Sequence, residues 1–178
     1  MYIGLTGKAG SGKDTVGKLL VSNYGFTRFA FADALKRAAL PLFNLTEDQV
    51  TVYKNDFNHD WGTTNRDLLQ RFGTEAMRNV FGENFWVDRL RVELEKLPPE
   101  RHVVLTDVRF DSEAAFIRDE GGCVIEIVGR AYDLKSAAGH ASEAGVSPGL
   151  IDFQLTNDGN MVDLRQKVAD LMDLIKES

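Results

Sequence analysis

Residues Gly7 to Thr15 read Gly-Lys-Ala-Gly-Ser-Gly-Lys-Asp-Thr and follow at once on the apolar run Tyr2 to Leu5. The spacing G-x-x-x-x-G-K predicts a loop that binds phosphate between a first strand and a first helix. Glycines are needed because the backbone must turn tightly enough for successive N–H groups to point at one anion. Gly10, Ser11, Gly12 and Lys13 supply the cradle, and Lys13 opens a helix whose N-terminal amides and dipole favour the same negative charge. Behind the loop, Val16, Leu19, Leu20 and Tyr24 follow helical spacing, which completes the strand, loop and helix that this chemistry requires.

The residue after the lysine departs from the usual Ser or Thr: it is Asp14, with Thr15 next. A carboxylate is a good hard-oxygen ligand for Mg²⁺ but adds negative charge beside a polyphosphate. Asp14 either acts through a metal-bound water or caps the helix, and Thr15 is the second candidate for the metal.

Outward from this loop, strand-like runs recur at Thr27 to Phe31, Val103 to Thr106, Cys123 to Val128 and Ile151 to Leu155, with helical patterns between them. That order predicts an α/β fold, a parallel sheet covered on both faces. In the last helix Leu164, Val168, Leu171, Met172 and Ile175 form a stripe, with Asn160 and Asp163 as the cap. At 178 residues the chain suits a single domain, 1–178, with insertions. Residues 33–97 are too long for a simple crossover and mark an insertion where a second substrate would bind.

With 43% apolar residues the composition is that of a globular protein, and no apolar run approaches a membrane span. The N-terminus lacks a signal-peptide pattern, and Cys123 is the only cysteine, which fits a reducing cytoplasm. Cys123 is expected in the core, and His59 and His102 on the surface or in packing. The net charge of -6 argues against broad nucleic-acid binding and suits an enzyme for small phosphorylated substrates.

Within the insertion, Arg66 to Gly82 read as a helix. Leu69, Phe72, Ala76 and Val80 would face inward, while Arg66, Gln70, Gly73 and Met77 line an adjacent face. That face offers a guanidinium for a phosphate and an amide for a base edge, or else it is solvated, with Arg71, Glu75 and Arg78 as charge partners. Trp86, Leu90, Leu94 and Leu97 read as core. Asp107 ends a buried strand, followed by Arg109; ligands of open parallel sheets bind beyond such strand ends. Asp107 then holds Mg²⁺ through water and Arg109 grips a substrate phosphate, or Asp107 caps a helix with Arg109 as its surface partner. After the fourth strand, residues 129–150 are polar and small, a lid carrying Arg130 toward a transferring group or a plain mobile loop.

Gly-Ser-Gly-Lys-Asp-Thr, Phe31-Ala32-Asp33-Ala34-Leu35-Lys36, Gln70 to Glu75 with Arg78, Phe85-Trp86, and Asp107-Val108-Arg109-Phe110 with Glu113 together resemble the phage-type deoxynucleoside monophosphate kinases. The resemblance spans nearly the whole chain, and it includes the aspartate after the loop lysine. It implies a P-loop kinase-type three-layer sandwich with a five-stranded parallel sheet, a helical acceptor-binding insertion and a lid. It also implies ATP as donor, Mg²⁺, and a deoxynucleoside 5′-monophosphate as acceptor. Lys13 would serve the donor phosphates, Arg130 the moving phosphoryl group, and Lys36, Arg66 and Arg109 the acceptor phosphate. Asp33 and Gln70 would orient the acceptor sugar or base. A viral origin, and with it a host cytoplasm, is suggested by the resemblance alone.

The tail Leu155 to Gly159 also resembles the adenine-side segment of dephospho-coenzyme A kinases, so a kinase acting on dephospho-coenzyme A or another small alcohol is the alternative. A protein that binds ATP without turnover stays open as well. A GTPase switch would want Asn-Lys-x-Asp and, after the second metal strand, Asp-x-x-Gly, and neither is there: Asp107 is followed by Val108, Arg109 and Phe110. The partners expected are small-molecule nucleotides, with no nucleic acid and no membrane; a homodimer is left open.

Overall fold

All five residues of Tyr2–Thr6 are buried, as the central strand of a sheet covered on both faces must be. In the computed structural model, which describes residues 1–129 and 145–177, the strands along the chain are β1 (Tyr2–Thr6), β2 (Thr27–Phe29), β3 (Phe57–Asn58), β4 (Thr63–Thr64), β5 (Val103–Leu105), β6 (Cys123–Gly129) and β7 (Phe153–Asn157). The helices are α1 (Lys13–Tyr24), α2 (Ala32–Phe43), α3 (Glu47–Thr51), α4 (Asn65–Gln70), α5 (Asn79–Phe81), α6 (Phe85–Leu94), α7 (Asp111–Asp119) and α8 (Met161–Glu177). The chain divides into two compact units, Met1–Ala30 with Pro98–Ser178, and Phe31–Leu97.

The first unit holds a five-stranded parallel sheet in the order β2-β5-β1-β6-β7. Side chains alternate across its plane. Ile3, Leu5, Val104, Ile125, Ile127 and Leu155 form one core with Val16, Leu19 and Leu20 of α1 and Leu164, Val168 and Met172 of α8. On the opposite face α7 packs over β1 and β6. The α/β sandwich read from the sequence is therefore present, helices on both faces of five parallel strands. The cap of α8 is reciprocal: Asn160 Oδ1 accepts from the Val162 and Asp163 amides at 2.7 and 3.2 Å, and Asp163 Oδ2 accepts from Asn160 N at 3.1 Å.

Two strands, β2 and β7, differ from the sequence reading by more than one residue. β2 stops at Phe29 because Phe31 already has helical angles and leads into α2. The last strand begins at Phe153, since Pro148–Leu150 form a 3₁₀ turn and the Asp152 carboxylate accepts from Val124 N at 2.8 Å.

The second unit has its own core of Ala39, Leu45, Val50, Leu68 and Leu69, with Leu40, Phe43 and Phe72 against it. The expected single helix from Arg66 onward is not one α-helix. Residues Arg71–Arg78 form a π-helical turn, whose i→i+5 bonds widen the helix and shift the inward face. Ala76 and Val80, expected inside, are exposed, while Gly73 and Arg78 are buried. Arg78, read as a surface charge partner, is 8% exposed, whereas Arg71 does pair with Glu75, at 3.8 Å. Trp86 is core as expected, and its indole N–H donates to Gly73 O at 2.9 Å inside the π turn. Among the described residues no helix is long and apolar enough to cross a membrane.

Candidate active site

The loop after β1 is a cradle closed by its own lysine. Gly7 and Gly12 sit at φ +130° and +105°, in the region that favours glycine. A Cβ at Gly7 would strike the Ile127 carbonyl, and one at Gly12 would strike the Asn157 side chain. The Lys13 ammonium folds back to donate to Gly7 O at 2.6 Å and Lys8 O at 2.8 Å. Gly12 is the N-cap of α1 and offers no side chain, so no side-chain hydrogen bond caps this helix. The first-turn amides of a helix have no partner within it. Asp14 is exposed in that first turn and Thr15 is half-buried. Gly10, at φ +78°, completes the turn into Ser11.

Ser11 is 4% exposed, and its hydroxyl has no hydrogen-bond partner among the described residues. A buried hydroxyl costs free energy until something meets it. The orphaned Ser11 Oγ, two positions with no room for a Cβ and an uncapped helix start all fit a bound polyphosphate.

Asp107 stands where the sheet delivers it. Thr106 N donates to Phe29 O at 3.1 Å and Val108 N to Leu5 O at 3.2 Å, so both neighbours of Asp107 are tied to the ends of β2 and β1. Leu5 lies two residues before Gly7, which puts the backbone of Asp107 beside the strand end that opens the loop. Arg109 follows, half-buried. Its amide donates to Glu113 Oε2 at 2.8 Å and that of Phe110 to the same oxygen at 3.2 Å. Glu113 is therefore the carboxylate that takes the two amides leading into α7.

Four further candidates lie in the second unit. Asp33 and Lys36 are half-buried three residues apart on α2, on one face; Arg66 and Gln70 are half-buried four apart on α4, likewise on one face. α2 packs against both α4 and the π turn. The start of α4 is held by Thr64 Oγ1, which accepts from Asp67 N at 3.1 Å. Arg130 and most of the segment expected as a lid, 129–150, lie outside the described residues.

Two contributors to the loop were not among the expected site residues. Asn157 Nδ2 donates to Ser11 O at 2.9 Å, and Gly129 presses on the Ser11 backbone. The sequence signals were a polar residue at the end of an apolar strand and the resemblance of Leu155 to Gly159 to dephospho-coenzyme A kinases, neither of which points to a contact with Ser11. Among the described residues no three His, Cys, Asp or Glu side chains converge as a metal-binding group. Asp14, Thr15 and Asp107 suit Mg²⁺, which is commonly held by one or two protein oxygens together with substrate phosphates and water.

Comparison with known proteins decides the family. The model of the deoxynucleotide monophosphate kinase family matches residues 43–168. The chain belongs to that family. A protein of Acanthamoeba polyphaga mimivirus, provisionally named a deoxynucleotide monophosphate kinase, is 36% identical over 141 residues, covering 71% of this chain and 73% of its own. The deoxynucleoside-5′-monophosphate kinase of Escherichia phage T5 is 24% identical over 242 aligned positions, covering 98% of this chain and 96% of its own. Among solved structures, the shikimate kinase of Aquifex aeolicus superposes with a TM-score of 0.54 at 14% identity, covering 100% of this chain and 99% of its own. That likeness establishes the fold alone. The family match begins at Phe43 and so leaves out the loop of Gly7 to Thr15.

Proposed function

We propose that the chain transfers the terminal phosphoryl group of ATP to a deoxynucleoside 5′-monophosphate, giving ADP and the diphosphate. The observation that carries this reading is the glycine cradle with its buried, unpartnered Ser11 hydroxyl, in a chain of the deoxynucleotide monophosphate kinase family. The names of the mimivirus and phage relatives support a phosphate-bearing acceptor over an alcohol.

An acceptor phosphate is already an ionised nucleophile, so the protein has to position it and neutralise charge more than move protons. The loop amides and Ser11 Oγ bind the donor phosphates as hydrogen-bond donors. Lys13 exchanges its two loop carbonyls for phosphate oxygens, which places a full positive charge where negative charge moves during transfer. Mg²⁺, when bound, supplies further neutralisation of the donor oxygens, with Asp14, Thr15 and Asp107 as the residues that would hold it. Arg109, with Lys36 and Arg66 of the second unit, is assigned to the acceptor phosphate, because guanidinium groups match a phosphate in shape as well as charge. Asp33 and Gln70 are assigned to the acceptor sugar and base.

The test is incubation of the full chain with ATP, Mg²⁺ and a panel of ribo- and deoxyribonucleoside monophosphates, reading ADP. ADP release that depends on a deoxynucleoside monophosphate is the expected result. Release that appears only with an alcohol acceptor such as dephospho-coenzyme A, or with none, would overturn the reading.

A further inference from the structure

We propose that Asn157 is a positioning residue for the donor site, setting the aim of the Gly12 amide through the Ser11 carbonyl. The proposal rests on the nucleotide reading of the loop given above.

Asn157 ends β7 and is paired in register with Gly129, the end of β6. Both reach the same residue of the loop. Asn157 Nδ2 donates to Ser11 O at 2.9 Å, across 146 residues of chain. A Cβ on Gly129 would come within 2.6 Å of both Ser11 Cα and Ser11 O. The two strand ends thus hold Ser11 at its backbone and leave its hydroxyl unpartnered.

The consequence follows from the planarity of the peptide. In a trans peptide the carbonyl of one residue and the N–H of the next point in opposite directions. Turning the Ser11 carbonyl toward Asn157 therefore turns the Gly12 N–H away from β7. The Asn157 carboxamide also occupies the space beside Gly12 where a Cβ would lie, so Gly12 is held from its outer side as well. A donor aimed in advance costs no reorganisation when an anion arrives, which is where a fixed cradle gains over a mobile loop.

The contact needs a donor. A carboxylate at this position has only acceptor oxygens and would oppose the Ser11 carbonyl, although its shape is almost that of the amide. Asn157→Asp thus separates hydrogen-bond polarity from packing, and Asn157→Ala removes both.

The experiment measures ATP uptake with Mg²⁺ by calorimetry, the Michaelis constants for ATP and for the monophosphate, and the thermal midpoint of each protein. In Asn157→Ala the ATP dissociation constant should rise about five- to tenfold, the weight of one hydrogen bond, with a larger rise in Asn157→Asp. The monophosphate constant should stay within about twofold in both, as for a contact confined to the donor side. Where the alanine variant fails to fold, the isosteric aspartate variant carries the test. Unchanged ATP affinity in the variants would overturn the proposal alone, as would ATP and monophosphate constants that rise together with a fall in the thermal midpoint. No uptake of ATP by the wild type would overturn the donor-site reading and this proposal with it.

Discussion

Glu113 accepts the backbone N–H of Arg109 at 2.8 Å, so a carboxylate only 3% exposed holds the turn that presents a candidate phosphate-binding arginine. The same oxygen takes the Phe110 amide at 3.2 Å. Glu113→Ala leaves both amides without this acceptor and should cost about 1–3 kcal/mol of stability. It should also raise the Michaelis constant for the monophosphate as Arg109 loses its fixed origin. Urea unfolding and steady-state kinetics check the two effects. Glu113→Gln keeps an acceptor oxygen and should recover most of the stability.

Lys13 is bonded to the carbonyls of Gly7 and Lys8, at the loop rather than in the core. Lys13→Ala should therefore leave the circular dichroism spectrum unchanged. Turnover should fall by about a thousandfold, the scale of losing one preorganised charge at a reacting group. Turnover close to that of the wild type would remove Lys13 from the chemistry.

Arg66 has its helix start fixed by the Thr64 cap, so its truncation is expected to act on ligand more than on fold. Arg66→Ala should raise the Michaelis constant of the monophosphate about 10- to 100-fold, as expected for one charge-assisted hydrogen bond. The constant for ATP should be nearly unchanged. Equal changes in both constants would reject Arg66 as an acceptor residue.

Burial, and then the nearby Asp152 carboxylate, push the Cys123 thiol up to about 11 from its ordinary 9.0. At pH 8 it is almost wholly protonated, so iodoacetamide should label it far more slowly in the folded protein than in urea. The sign for stability follows from proton counting. Between pH 9 and 11 the unfolded chain has lost the thiol proton and the folded chain still holds it, so stability should fall as pH rises through that window. Cys123→Ser should flatten the decline in the urea midpoint, which is the measurement to make.

The sheet was legible because its strands are apolar runs in an order that only a parallel arrangement accommodates. The cradle was legible because tight anion binding confines glycine and lysine to one spacing. The helix beyond Arg66 was not. A π turn keeps the residue types of an α-helix while changing which of them face inward, so period-counting placed Val80 inside and left Arg78 outside. The cue is legible only once Trp86 and Gly73 are seen together. Asn157 was hidden for a different reason. Its segment was noticed for a resemblance, but its partner Ser11 lies 146 residues earlier, and a contact between distant residues leaves no local pattern.

β1 is the middle of the sheet, and its partners come later in the chain: β5, beginning at Val103, and β6, beginning at Cys123. During translation it leaves the ribosome with both hydrogen-bonding edges bare and keeps them so until its neighbours emerge. A short apolar strand in that state is a template for pairing with other chains. Closing such distant contacts is slow, so yield during synthesis should respond to temperature and to chaperone supply more than the finished protein's stability alone would suggest.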